Sequence, residues 1–170
     1  MRTAILGVAA LLASCATGTR DSGSDAARAE LRDAAGRFVA QAEVREVDGG
    51  LRIVVDAAGV GPGVHGVHIH AVGRCDPPGF ESAGPHWNPT GRQHGRENSQ
   101  GAHLGDLPNL TMGSSGRGRL DFTVPGAELR GARGALDGDG AAVVIHATAD
   151  DNRTDPSGNS GARVACGVLR

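Results

Sequence analysis

The sequence predicts an all-β domain, an antiparallel sandwich or barrel, on three observations. Apolar and polar residues alternate with period two through much of the first half of the chain. Clusters of Gly, Pro, Asp and Asn end each run, and no stretch keeps a helical period. The 170 residues fit one domain with extensions. Gly occurs 28 times, which fits many tight turns between short strands. Aromatics make up 2% and Tyr is absent, so the core must come from Val, Ala, Leu and Ile. A core that light benefits from a staple, a metal or a disulfide. The formal charge is −2 and all 17 basic residues are Arg, with nothing resembling a nucleic-acid surface. An anionic substrate would therefore need a local positive patch.

The elements follow in order. Met1-Arg2 and the apolar run Ala4 to Ala13 read as a secretion signal, too short to span a membrane as a helix. Its end, Leu12-Ala13-Ser14-Cys15, resembles the lipobox of bacterial lipoproteins, which implies that Cys15 is lipidated as the first residue of the mature chain. Ordinary cleavage near Ala16 is the alternative. Lipidation would also explain an odd cysteine count in an exported protein, and several acyl chains would hold it to a membrane of the cell envelope, facing the periplasm or the outer surface. Residues 16–25 are small and polar, a flexible tether, and the folded domain runs from 26 to 170.

From Ala26, Ala27, Ala29 and Leu31 alternate with Arg28, Glu30 and Arg32, and Asp33 to Gly36 makes a turn. Phe38, Ala40, Ala42 and Val44 read as the inward face of the next strand. Asp48-Gly49-Gly50 is a hairpin signal before a returning strand, Leu51 to Ala58. Gly61-Pro62-Gly63 then breaks the chain ahead of a strand from Val64 to Val72. His68 and His70, two apart on that strand, project from one face and can share a metal. His65 has the opposite parity and reads as a hydrogen-bonded structural residue. Another apolar strand, Ala141 to Ala147, carries His146. A His there is usually a core residue; beside His68 and His70 it becomes the natural third nitrogen of a thiolate-free site suited to copper.

The stretch Ser82 to Asp106 places His86, His94, His103 and Asp106 in a loop too poor in apolar residues to hold itself together. Singly, each is more simply a solvated polar group. Together, three imidazoles and a carboxylate suit tetrahedral zinc.

These motifs resemble Cu/Zn superoxide dismutase over essentially the whole domain: His65-Gly-Val-His-Ile-His70, Ser82-Ala-Gly-Pro-His-Trp-Asn-Pro89, His94-Gly95, His103-Leu-Gly-Asp106, Val144-Ile-His146, Asp150-Asp151 and Gly158 to Gly167. The resemblance implies an eight-stranded antiparallel Greek-key β-barrel with long metal-binding and electrostatic loops. It implies one copper ion on His68, His70, His86 and His146, and one zinc ion on His86, His94, His103 and Asp106, with His86 bridging the two. The implied activity is dismutation of superoxide by copper cycling between Cu(II) and Cu(I), His86 carrying a proton and Arg163 guiding the anion. Asp150 matches the carboxylate that links a copper-ligand to a zinc-ligand histidine, here His68 and His94. Cys75 and Cys166 match the family disulfide, closing about ninety residues for roughly 4–5 kcal/mol. The family's further steering Lys and Glu have no clear equivalents, leaving Arg153 as a weak substitute. Trp87 stands where Phe is usual and reads as packing. Asn109-Leu-Thr111 and Asn152-Arg-Thr154 match the glycosylation pattern by coincidence, given the bacterial leader. The competing function is an exported copper carrier on the same barrel, although a carrier needs neither the bridge nor Arg163. Monomer and homodimer are both left open.

Overall fold

The computed structural model describes residues 26–170; Cys15 and the tether lie outside the described residues. Strands β1 (Ala26–Asp33), β2 (Phe38–Val47) and β3 (Gly50–Ala58) form a meander whose registers follow the period-two pattern. Ala27, Ala29 and Leu31, then Ala40, Ala42 and Val44, then Leu51, Ile53, Val55 and Ala57 all face the core. Phe38 is the exception: the register between β1 and β2 shifts at Leu31/Arg32, so Arg32 pairs with Phe38 and the ring is 48% exposed. A bulge of this kind turns the strand end away from the core. The β2–β3 hairpin closes Val47 on Gly50, with Gly49 at φ 84°, a conformation glycine takes without strain.

The expected strand from Val64 is split into β4 (Gly63–His65) and β5 (Val67–His70), with Gly66 between them. The later strands are β6 (Leu110–Met112), β7 (Arg117–Pro125), β8 (Ala142–His146) and β9 (Arg163–Val168). Seven strands make one antiparallel sheet in the order β5-β8-β9-β1-β2-β3-β7, and β4 pairs with β6. Because β4 continues into β5, and β6 turns directly into β7, the small ribbon spans the two edges of the curled sheet. Counting β4 and β5 as one broken strand gives eight. The last strand lies beside the first, and β7 returns beside β3 over a long connection, as a Greek key requires. Among the described residues the helical content is one 3-10 turn, Glu81–Ala83.

Candidate metal centre

Strand β5 sets the site. Val67 and Ile69 point into the core, so His68 and His70 face the other side. Strand β8 adds His146 on that same face, beside a register shift at Ile145/His146. The long loop folds back along the free edge of β5. Trp87 N–H donates to Ile69 O (2.8 Å), Ile69 N–H to Gly105 O (2.9 Å) and Gly105 N–H to Trp87 O (2.9 Å). A side chain at residue 105 would strike the Ile69 carbonyl, so glycine is required where these backbones meet. This lacing sets His86 across from His70 and Asp106 across from His68.

Two sets of donors result. The ligand atoms of His68, His70, His86 and His146 lie within 4.8 Å of one another, and so do those of His68, His86, His94 and Asp106. All five histidines and Asp106 are buried. This spacing departs from the sequence expectation in one respect: it puts His68 in both sets and His103 in neither. The hydrogen bonds divide these residues differently from the spacing alone. His68 Nε2 is 2.6 Å from Asp150 Oδ2 and so is already engaged, while its ring lies tilted against His86 with centroids 3.9 Å apart. His103 Nδ1 sits 3.2 Å from Asp106 Oδ1 and 3.4 Å from His86 Nδ1. Asp106 Oδ1 is also 2.9 Å from His86 Nδ1 and 3.0 Å from His94 Nδ1, so three imidazoles converge on one oxygen. Its Oδ2 accepts the Gly95 and His103 amides at 2.9 and 3.0 Å, which fixes the carboxylate.

The remaining nitrogens form the second focus. His68 Nδ1, His70 Nε2, His86 Nε2 and His146 Nε2 are buried without hydrogen-bond partners. Four orphaned imidazole nitrogens in one place would each cost about 1–3 kcal/mol without an acceptor of their lone pairs, and a soft divalent or monovalent transition ion is such an acceptor. The other ring nitrogen is pinned in His70 (Nδ1 to Gly84 O, 2.8 Å) and His146 (Nδ1 to Gly161 O, 3.1 Å), which sets which nitrogen is free. Burial, opposed by the Asp150 bond, lowers His68 to about 3; burial and the neighbouring His86 and Arg163 charges lower His70 to about 2. Burial likewise brings His146 down to about 4 and lowers His86. These rings are neutral at physiological pH, the form that binds metal. In His94 burial opposes the charge, but bonds to Asp106 and Asp150 prevail and raise it to about 9. Asp106 and Asp150 are held well below the usual carboxylate range; burial would raise both, and the histidine hydrogen bonds outweigh it.

Asp150 ties the two foci together: Oδ2 meets His68 Nε2 and Oδ1 meets His94 Nε2 at 3.0 Å. Its own backbone is held by Asn109, whose amide N–H donates to Asp150 O (2.9 Å) and whose Oδ1 accepts Asp150 N–H (2.8 Å). Asn152 adds a third bond, to Asp150 O at 3.0 Å. Both glycosylation look-alikes thus serve the site. His65 faces away as expected, its Nδ1 2.8 Å from His146 O and its Nε2 3.0 Å from Gly61 O.

Arg163, at the start of β9, is 17% exposed at its side chain and donates to Phe80 O (2.8 Å) and Gly84 O (2.9 Å). It makes no pair with Asp150, Asp151 or Asp155; the nearest carboxylate is Glu81, 3.6 Å away. Cys75 and Cys166 form a disulfide that joins this loop to β9. Arg153 pairs with Glu97 on the exposed rim at 2.5 Å. Trp87 is buried in the core cluster. The two carbonyls that hold Arg163 carried no sequence signal because they belong to the backbone, and Asp155, whose side-chain Oδ1 accepts the His94 amide at 2.6 Å, carried none because its partner is a backbone N–H.

The copper/zinc superoxide dismutase family profile matches residues 37–169. Cu-Zn superoxide dismutase 2 of Aquifex aeolicus is 41% identical over 147 residues, covering 85% of this chain and 86% of that protein. The crystal structure of a SOD-like protein from Bacillus subtilis superposes with a TM-score of 0.80 at 41% identity, over 84% of this chain and 97% of that one. Cu/Zn superoxide dismutase from Brucella abortus gives 0.70 at 26% identity, over 85% and 99%.

Proposed function

The chain belongs to the copper/zinc superoxide dismutase family, and from that premise we propose that it converts two superoxide anions and two protons into dioxygen and hydrogen peroxide, with His86 as the ring shared between the ions. The observation that carries this reading is the division of His86: Nδ1 lies in the cluster around Asp106, and Nε2 is orphaned among the nitrogens of His68, His70 and His146. On this reading His68, His70, His86 and His146 would hold copper through the nitrogens left without hydrogen-bond partners, His68 Nδ1 and the Nε2 atoms of the other three. His86, His94, His103 and Asp106 would hold zinc, a complete set of three nitrogens and one oxygen. The 2.6 Å contact of His68 Nε2 with Asp150 supports His86 over His68 as the shared ring.

Copper, when bound, supplies a one-electron couple that oxidises one superoxide and reduces the next. The chain does the rest. Arg163 presents a fixed cation beside the copper-side donors, where it can orient a small anion. His86 Nε2 can hold a proton and release it to the peroxide being formed, while Nδ1 remains engaged and keeps the ring in place. Asp150 fixes the tautomers of His68 and His94 together, so the two sites are built as one. The test is reconstitution with copper and zinc, followed by direct observation of superoxide decay. Decay at the rate of copper-free protein would sink the proposal.

We further propose that the protein is exported and anchored through Cys15, supported by Leu12-Ala13-Ser14-Cys15 and by a disulfide that needs an oxidising compartment. A diacylated N-terminal peptide beginning at Cys15 is the expected mass-spectrometric result, and an unmodified N-terminus beyond it would refute the anchor.

A further inference from the structure

We infer that Glu81 is a specificity-determining residue that restrains anion capture at Arg163, acting harder on dianions than on a monoanion such as superoxide. The inference rests on the proposed role of Arg163. Glu81 opens the short 3-10 turn lying between the two carbonyls that grip the guanidinium, Phe80 O and Gly84 O. Phe80, at φ 56°, makes the turn that begins this short helix. Its Oε2 is 3.6 Å from Arg163 Nη2, beyond a direct hydrogen bond, and the side chain is 85% exposed. Arg163 keeps its place through the backbone, so Glu81 is not what positions it. What remains for the carboxylate is a negative charge at the approach to the cation. A pair this exposed contributes little stability. The net charge of −2 supplies no compensating attraction, so the balance at this point governs capture.

A unit charge about 6 Å from the docking point, through water, changes the local concentration of a monoanion about threefold at low ionic strength, and that of a dianion about ninefold. Glu81 therefore costs some superoxide encounters and suppresses occupancy by inorganic phosphate more strongly. The experiment uses copper- and zinc-loaded wild type, Glu81→Gln and Glu81→Gln/Arg163→Ala at low salt. It measures inorganic phosphate affinity by phosphorus NMR titration, and superoxide decay alongside. The expected result is about ninefold tighter phosphate binding in Glu81→Gln, lost in the double variant, with about threefold faster decay and a steeper salt dependence. Phosphate affinity that is unchanged or weaker in Glu81→Gln overturns the inference, since weaker binding would make Glu81 a support for Arg163. The phosphate titration stands even if wild type fails to consume superoxide, a failure that would count against the proposed activity alone.

Discussion

Removing the disulfide by Cys75→Ala with Cys166→Ala is predicted to destabilise the metal-free protein by about 4–5 kcal/mol. The two cysteines are separated by 91 positions. Closing a loop of that size removes about 15 cal/mol/K of entropy from the unfolded chain, or about 4.6 kcal/mol at 25 °C. Alanine suits both positions, because Cys166 is buried in an apolar cluster with Val144, Ala142 and Phe80, and Cys75 packs against it. Unfolding entropy near 60 °C is about 2.1 cal/mol/K per residue, so for about 145 residues the loss converts to a fall of about 15 °C in Tm. The assay is calorimetry on metal-free protein, since bound ions add their own linkage and would mask the change. A second readout follows from position. The bridge fastens the segment whose Phe80 and Gly84 carbonyls hold Arg163, so the loaded variant should lose activity beyond any loss of metal. A Tm fall of less than about 5 °C would refute the entropic reasoning, because the loop length leaves no room for so small a value.

Three further outcomes are expected. Arg163→Glu should slow superoxide decay about ten- to a hundredfold at low salt with copper and zinc contents unchanged, and an unaltered rate would remove Arg163 from the reaction. Asp150→Asn should weaken zinc binding about ten- to a hundredfold in a chelator competition, because His94 loses the carboxylate that orients it; equal affinity would show that orientation is unimportant. The metal-free protein should be most stable near neutral pH. His68 and His146, held at about 3 and about 4 when folded against 6.5 unfolded, make the unfolded chain bind more protons between those values, so stability falls on acidification through that window. The His146 shift alone amounts to about 3 kcal/mol. His94 acts in the opposite sense: raised to about 9, its contribution is complete below 6.5 and is lost as pH rises through 9. Urea midpoints from pH 4 to pH 9 check this, and a flat profile would contradict it.

The β1–β2–β3 meander was legible in the sequence because burial on one face forces period two, and it misled only at Phe38, where the bulge at Leu31/Arg32 shifts the register by one. The donors were legible for a different reason: His68 and His70 share a face by parity alone, and the loop histidines stand out among residues that cannot pack. Which nitrogen of each ring is free was not legible. That depends on carbonyls such as Gly84 O and Gly161 O, and a backbone acceptor leaves no mark in side-chain identity. The same is true of the grip on Arg163. Asn109 and Asn152 were misleading in the opposite way, since a sequon describes only local residues, whereas both amides are consumed by the backbone of Asp150.

The donors have unequal origins. His68, His70 and His146 stand on β5 and β8, inside the hydrogen-bonded wall, whereas His86, His94, His103 and Asp106 belong to the cover folded against it. Covers open more readily than walls. An opening of the cover would carry away all four zinc-side donors at once and leave three imidazoles of the copper side standing, so zinc is expected to be released before copper when the metal-loaded protein is gently denatured.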